Sequence, residues 1–282
     1  MIKRLINYML DNRDRQRISI CLSKGAAMMS ARNIDLTKPI TWEFSGFSQN
    51  GEDGILDILR KQLKHKNYYF VEIGSADGID NNSAWLLIAE KYNGLMIEGD
   101  PKLSNRSKRM VTNYSIGAES VNMFVSKENI VDLRNMSTHH DPDVFSLDID
   151  GNDYYIAEEI FNAGFRPKIF AVEYNSVFGP EKKVTIEYIK DFTFSAHESQ
   201  LYYGVSVEGW KSFFAKKGYS FITVDRNGVN AFFVDTTLFE KSFLVNISSL
   251  GFAENQYQLK KFEKPSSDQF KLIENLKFVD IS

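Results

Sequence analysis

Residues 70–78 read FVEIGSADG. A short apolar run carries Glu72 near its end, breaks at Gly74 and meets a second glycine at Gly78. A buried strand that stops at a glycine and hands over to a helical segment is the opening unit of an alternating α/β domain. The loop also discriminates among ligands. A dinucleotide fingerprint needs G-x-G-x-x-G, so that backbone can approach a pyrophosphate. Counted from Gly74, the second and third of those positions are Ala76 and Ile79. The Gly-Lys-Ser/Thr ending of a phosphate-cradling loop is absent too, and Asp77 would repel a phosphate placed here.

Working outward, strands and helices alternate. YYFVEIG (68–74) is followed by a helix over SAWLLIAEKY (83–92), with Ser83 placed to cap it. GLMIEGD (94–100) reads as a second buried strand, VNMFV (121–125) as a third, and 127–135 as a short helix. DVFSLDID (143–150), the helix DYYIAEEIFNAGF (153–165) and KIFAVEYN (168–175) complete the run, with Asn152 and Asp153 as the helix cap and Gly164 near its end. After the helix VEGWKSFFAKKGY (207–219), SFITVD (220–225) and NAFFVD (230–235) flank Asn227-Gly228, a hairpin signal. The pattern predicts a largely parallel sheet covered on both faces and finished by an antiparallel edge pair. Upstream, 1–33 reads as helical, 34–46 as a loop with Pro39, and SQNGEDGILDILRKQL (48–63) as a helix with an acidic first turn.

The chain has 282 residues, enough for one large α/β domain with additions or two small ones. We divide it into an N-terminal helical extension, 1–45, and a main domain, 46–282. The net charge of -3 with interspersed signs gives no basic stripe, so no nucleic-acid partner is expected. Cys21 is the single cysteine, which excludes an internal disulfide or a cysteine metal cluster. No apolar stretch reaches the ~18–20 residues of a membrane span. MIKRLINYMLDNRDRQR turns charged too early for a signal peptide, and a cytoplasmic protein is expected. Ile2, Leu5, Ile6 and Met9 share one helical face, which suits packing on its own domain or on a dimer mate in a homo-oligomer, with a membrane-surface helix as the alternative.

In such a sheet, ligands bind at the carboxyl ends of the strands. Three of those ends carry acids: Glu98 to Asp100, Asp148 to Asn152, and Glu173 to Asn175. Acids are poor strand formers, so their recurrence marks a site. E-x-G-x-x-x-G (Glu72, Gly74, Gly78) suits a cofactor with a positive sulfonium and an ammonium-carboxylate tail. Glu98, ending the next strand, can accept bonds from two ribose hydroxyls. This is the logic of S-adenosyl-L-methionine (SAM) binding. Candidate cofactor-binding residues are Glu72, Gly74, Ser75, Asp77 and Gly78 in the first loop, and Glu98, Gly99 and Asp100 at the second strand end. Gln49 and Glu52 join them from the polar turn SQNGED, where helix capping is the competing explanation.

With FSQNGEDGIL, FVEIGSADG, GLMIEGDP, FSLDIDGNDYYI, FAVEYN, LYYGVSVEGWKSFFAKKGYSF and GVNAFF in this order, residues 46–236 resemble the FkbM-type SAM-dependent methyltransferases. The resemblance implies a Rossmann-like class I methyltransferase fold. That fold has a seven-stranded, mostly parallel sheet whose last strand is antiparallel. It also implies O-methylation of sugars, either nucleotide-linked or within a surface or capsular polysaccharide.

The acceptor chemistry is read from the later strand ends. Asp148 and Asp150 lie two apart and share a strand face, and Glu173 and Asn175 repeat the arrangement. Asp148, Glu173 and Asn175 would suit a hard cation such as Mg2+, which could lower the pKa of the attacking hydroxyl. Alternatively, Asp148 and Asp150 only hydrogen-bond cofactor, substrate or backbone. Without a metal a base is required, and His197, in the 176–206 segment, is the candidate. His139 and His140 enter at the opposite end of the Asp148 strand, and His65 reads as a surface residue. Phe178, Tyr188, Phe192, Phe194, Tyr202 and Tyr203 in the same segment fit either a sugar-stacking surface or a lid packed on its own core. Two other readings remain. In one, SLDIDGND is the D-x-D of a metal-dependent glycosyltransferase using a nucleotide sugar. In the other, the chain is a non-catalytic binding module.

Overall fold

Tyr69–Ile73 (β1) is buried at every position, as a strand between two covered faces must be. In the computed structural model, which describes residues 2–114, 117–193, 195 and 197–282 (side chains of 2–7, 113 and 114 apart), β1 lies inside a seven-stranded sheet. The other strands are Asn93–Glu98 (β2), Ala118–Asn122 (β3), Val144–Leu147 (β4), Ile169–Glu173 (β5), Tyr219–Val224 (β7) and Asn230–Asp235 (β8). A short strand, Val184–Ile186 (β6), stands apart and pairs antiparallel with Phe278–Asp280 (β9). The main order is β3-β2-β1-β4-β5-β8-β7. β1 to β5 pair in parallel, and β8 runs antiparallel to both its neighbours.

The helices are Ile2–Ala31 (α1), Glu52–Gln62 (α2), Ala84–Ile88 (α3), Pro101–Tyr114 (α4), Ile130–Met136 (α5), Asp153–Asn162 (α6) and Val207–Lys216 (α7), then Lys241–Val245 (α8), Gln256–Phe262 (α9) and Ser266–Phe270 (α10). Alternate strand residues feed opposite layers. Val71, Phe145 and Val172 pack with Leu133, Ile160 and Trp210 of α5, α6 and α7. Phe70, Met96 and Ala171 pack with Leu59, Leu86 and Met110 of α2, α3 and α4. Ile18 of α1 joins the second layer with Cys21 and Leu22 against it, and Asp14 pairs with Arg109 of α4. Of the helical face expected at Ile2, Leu5, Ile6 and Met9, the first three side chains lie outside the described residues, and Met9 is exposed. Among the described residues no helix is long and apolar enough to cross a membrane.

Two local expectations change, and the expected hairpin forms. The third strand is Ala118–Asn122 rather than 121–125: it is an edge strand, half-exposed and polar, so the apolar run beside it misled. Ser83 does not cap α3 with its side chain, because its hydroxyl donates to Glu72. The hairpin turn is five residues long, held by the Asp225 carboxylate, which accepts N–H bonds from Asn227, Val229 and Asn230.

The largest addition to the expected fold is a third hydrophobic cluster. Val177, Phe178, Ile186, Leu201 and Tyr202 of the 176–206 segment pack with Ile273, and Phe262, Phe270 and Phe278 close it from the C-terminal side. The 176–206 segment is therefore a cap with its own core, completed by the β6–β9 pairing.

Candidate active site

The carboxyl ends of β1, β2 and β4 open into one cavity of about 510 Å³, within the range of small-molecule sites. β1 contributes Glu72 and Gly74, β2 contributes Glu98 and Gly99, and the loop after β4 contributes Asp148 to Asp150. Because β8 is antiparallel, its first residue, Asn230, sits opposite Glu173 and reaches the same edge.

Gly74 lets these parts meet. Its φ is +87°, and a Cβ there would lie 1.7 Å from the Asp148 carbonyl oxygen. Its N–H and that of Ser75 both donate to Ile97 O, at 2.9 and 3.0 Å. The loop is thus pinned between β2 and β4. Glu72 lies under it, accepting from Asn82 N (2.9 Å), Ser83 N (3.2 Å) and the Ser83 hydroxyl. Burial raises the Glu72 carboxyl to about 7, with those hydrogen bonds working against the rise.

Glu98 lines the cavity and accepts from Ala76 N at 2.8 Å and from Asp100 N at 2.7 Å. Asp100 also lines the cavity while capping α4, accepting from Lys102 N and Leu103 N at 2.7 and 3.0 Å. Those backbone bonds hold its carboxyl below the usual range. Gln49 and Glu52 reach the cavity as well. Gln49 donates to Asp80 at 3.0 Å, and Glu52 accepts from Asn50 N at 2.6 Å and from Asn230 Nδ2 at 2.9 Å.

The structure separates other candidates from the cavity. Asp77 is a clasp: Arg17 of α1 and Arg106 of α4 meet its carboxylate at 2.5 and 2.8 Å. Burial pushes that carboxyl up, but the Arg17 hydrogen bond and charge more than offset it, leaving it lowered. Ser75 is fully buried, and Gly78 packs on Ser107 and Met110 of α4. Neither is among the lining residues.

Asp148, Asp150 and Glu173 come together, with one oxygen of each within 4.8 Å of the others. Burial raises the Asp148 carboxyl well above its ordinary value, with the charges of Asp150 and Asp153 adding to it. Burial and then the charge of Asp148 do the same to Glu173, and a hydrogen bond joins the two groups. Burial also raises Asp150, whose φ of +51° is a conformation more readily tolerated by Asp and Asn than by bulkier side chains. Asp153 fixes this loop from beneath by accepting from Ile149 N and Gly151 N at 3.1 and 2.9 Å. It therefore serves the strand-to-helix loop, and Asn152 makes no side-chain cap either: its amide exchanges hydrogen bonds with the backbone of Ile189.

Asn175 does not join the acidic group. Its Oδ1 accepts from Val177 N at 3.1 Å, and its Nδ2 donates to Leu201 O and Tyr203 O at 2.8 and 3.0 Å. It ties the cap to β5, and Asp150 stands in the acidic group where Asn175 was expected. His197 does not line the cavity: its Nδ1 meets the Ser199 hydroxyl at 2.7 Å and its ring packs on Tyr202. His139 packs on Tyr69 at the start of β1, the far end of the sheet. Of the cap aromatics, Phe178, Tyr202 and Tyr203 are core, Phe192 reaches the cavity, and Tyr188 packs on Tyr155. Phe194 lies outside the described residues.

Sequence reading missed Asn230 and Asn82. Asn230 is 2% exposed, lines the cavity, and its Oδ1 has no partner among the described residues.

The strand order, parallel β1 to β5 and an antiparallel β8 between β5 and β7 give the chain the Rossmann-like methyltransferase fold. No protein-family model matches the chain, and no curated protein matches it. Similar solved structures include the METTL16 MTase domain, 11% identical over 64% of this chain and 65% of that one, with a TM-score of 0.40. The O-methyltransferase TomG from Streptomyces achromogenes, involved in tomaymycin synthesis and solved with SAM, is 13% identical over 67% of this chain and 80% of its own, with a TM-score of 0.42. An O-methyltransferase from Bacillus cereus in complex with SAH is 13% identical over 77% and 89%, with a TM-score of 0.43.

Proposed function

We propose that this chain is a SAM-dependent O-methyltransferase of the FkbM type that acts on a sugar hydroxyl. The observation that carries the reading is one cavity in which the Glu72–Gly74 loop and Glu98 stand beside Asp148, Asp150 and the adjoining Glu173. The residues fit the cofactor. Carboxylates and the unpartnered Asn230 Oδ1 offer acceptors to a ligand rich in hydroxyl and ammonium donors. When bound, SAM supplies a methyl group activated by its sulfonium.

The chain's own residues do the rest. Gly74 and Ser75 hold the loop to β2, and Glu98 presents an acceptor for ribose hydroxyls. Phe192 and the Asn152–Ile189 tie set the cap as one wall. A hydrogen bond joins Asp148 to Glu173, and with Asp150 they form the group that takes the proton of the attacking hydroxyl. Asp148, Asp150 and Glu173 also have the hard oxygen donors a Mg2+ ion prefers, and such an ion would lower the pKa of that hydroxyl.

Calorimetry with SAH and with UDP-sugars tests the reading. Tight UDP-sugar binding without SAH binding would favour the D-x-D glycosyltransferase. SAH binding without turnover on any sugar would favour a binding module. Glu98→Gln should weaken SAH about tenfold or more, as loss of a charged hydrogen-bond acceptor does; an unchanged Kd removes Glu98 from the cofactor site. The pH profile is a further check. The acceptor form of the acidic group exists only above its raised pKa values. Single-turnover rates should therefore fall as pH drops, with the acid limb above the ordinary carboxylate range. A flat profile down to that range would exclude these carboxylates as proton acceptors.

A further inference from the structure

One wall of the cavity is held in a strained shape. Ala76, Asp80, Asn81 and Asn82 line it, and Ala76 has a φ of +48°, a left-handed backbone that a residue with a Cβ adopts only at a cost. Such a conformation persists where its surroundings over-determine it. On one side the Ala76 N–H donates to Glu98 at 2.8 Å. On the other, Asp77 divides its carboxylate between two tasks. Its Oδ1 accepts from Ile79 N and Asp80 N at 3.2 and 3.4 Å, within the loop. Its Oδ2 meets both Arg17 of α1 and Arg106 of α4. The two arginines differ in what they tie. Arg106 belongs to α4, which starts at Pro101 directly after the Glu98 to Asp100 turn, so it joins two parts of one site. Arg17 joins them to an element outside the sheet that is anchored without it. Ile18 is core, Asp14 pairs with Arg109, and a Cβ on Gly25 would lie 2.4 Å from the Trp85 ring.

We propose that Arg17 is a positioning residue of the cofactor site: through Asp77, the N-terminal helix holds the 76–82 wall in its strained shape, and cofactor affinity depends on that contact. This deepens the methyl-transfer reading and rests on it. The Ala76 N–H also orients Glu98, so a loop released at Asp77 loosens the wall and the ribose acceptor together. The Asp77 side chain is only 9% exposed. Loss of a guanidinium there leaves a charge that water reaches poorly, which costs more than loss of an exposed surface pair.

The test follows SAH binding by calorimetry and amide hydrogen exchange of residues 76–82 in the full chain. Wild type is compared with Arg17→Gln, Arg17→Lys, Asp77→Asn and Asp14→Asn. SAH carries no net charge, so removing a guanidinium does not change its long-range attraction. Asp14→Asn breaks a second ion pair between the same two helices and controls for stability. The SAH Kd should rise about fivefold or more in Arg17→Gln and further in Asp77→Asn, with faster exchange over 76–82 in both. Arg17→Lys, which keeps the charge, should restore most of the affinity. Asp14→Asn should lower the Tm as Arg17→Gln does but leave the Kd within about twofold. An unchanged Kd in Arg17→Gln overturns the proposal. So does an equal loss of affinity in Asp14→Asn, which would make the effect one of general stability. Failure of wild type to bind SAH counts against the methyltransferase reading instead. Exchange needs no ligand, so it still decides the clasp in that case, and unchanged exchange in Arg17→Gln would overturn it.

Discussion

Asp148→Asn should lower single-turnover methyl transfer by about two to four orders of magnitude, the usual contribution of a positioned proton acceptor, while SAH affinity stays within a few-fold. Asparagine keeps the shape of the side chain but cannot take a proton. The same substitution should not destabilise the fold. Asp148 is costly to ionise, first because it is buried and then because Asp150 and Asp153 are charged nearby. A carboxyl whose pKa is raised by folding stabilises the protein below its unfolded pKa, and that contribution is lost as pH rises through the folded value. Removing the charge should therefore leave the Tm of the variant equal to wild type at low pH and above it at pH 8. Activity lost together with a lower Tm at pH 8 would show that Asp148 is structural support rather than chemistry.

Gly74→Ala has the largest expected effect on stability, about 3–5 kcal/mol, combining a left-handed backbone with overpacking. The added methyl would lie 1.7 Å from the Asp148 carbonyl oxygen, so β1 and β4 must part where the cavity begins. Gly164→Ala is the control. It shares a positive φ of +90°, but nothing lies within 4 Å of its Cβ position. It should cost only about 1 kcal/mol. Urea denaturation of the two variants separates conformational strain from steric overlap. Equal losses would mean that the approach of Gly74 to Asp148 has no special weight.

Much of the fold was readable because the sheet is buried on both faces and its strands are uninterrupted apolar runs. FVEIG, GLMIE, VFSL and IFAVE announced four strands, and the acids at their ends placed the cavity. The edge strand β3 escaped because a half-exposed strand carries no such run. The β6–β9 sheet escaped because its partners are far apart in sequence, and each is only three residues long. Asn175 and Asp77 had the right chemistry for a site, but pairing decides roles: each is spent on the backbone or on arginines, which no spacing reveals. Asn230 could have been found. A strand running against its neighbours begins where they end, so the polar first residue of NAFFVD belongs to the same edge as Glu173.

The pairing of Val184–Ile186 with Phe278–Asp280 sets an order of events during synthesis. A chain emerging from the ribosome from its N-terminus completes β1 to β5, and with them the Glu72–Gly78 loop, long before β9 exists. Until β9 arrives, the 176–206 segment lacks both its strand partner and the aromatic residues that close its core. A nascent chain would thus complete the strand ends that open into the cavity first and the cap last.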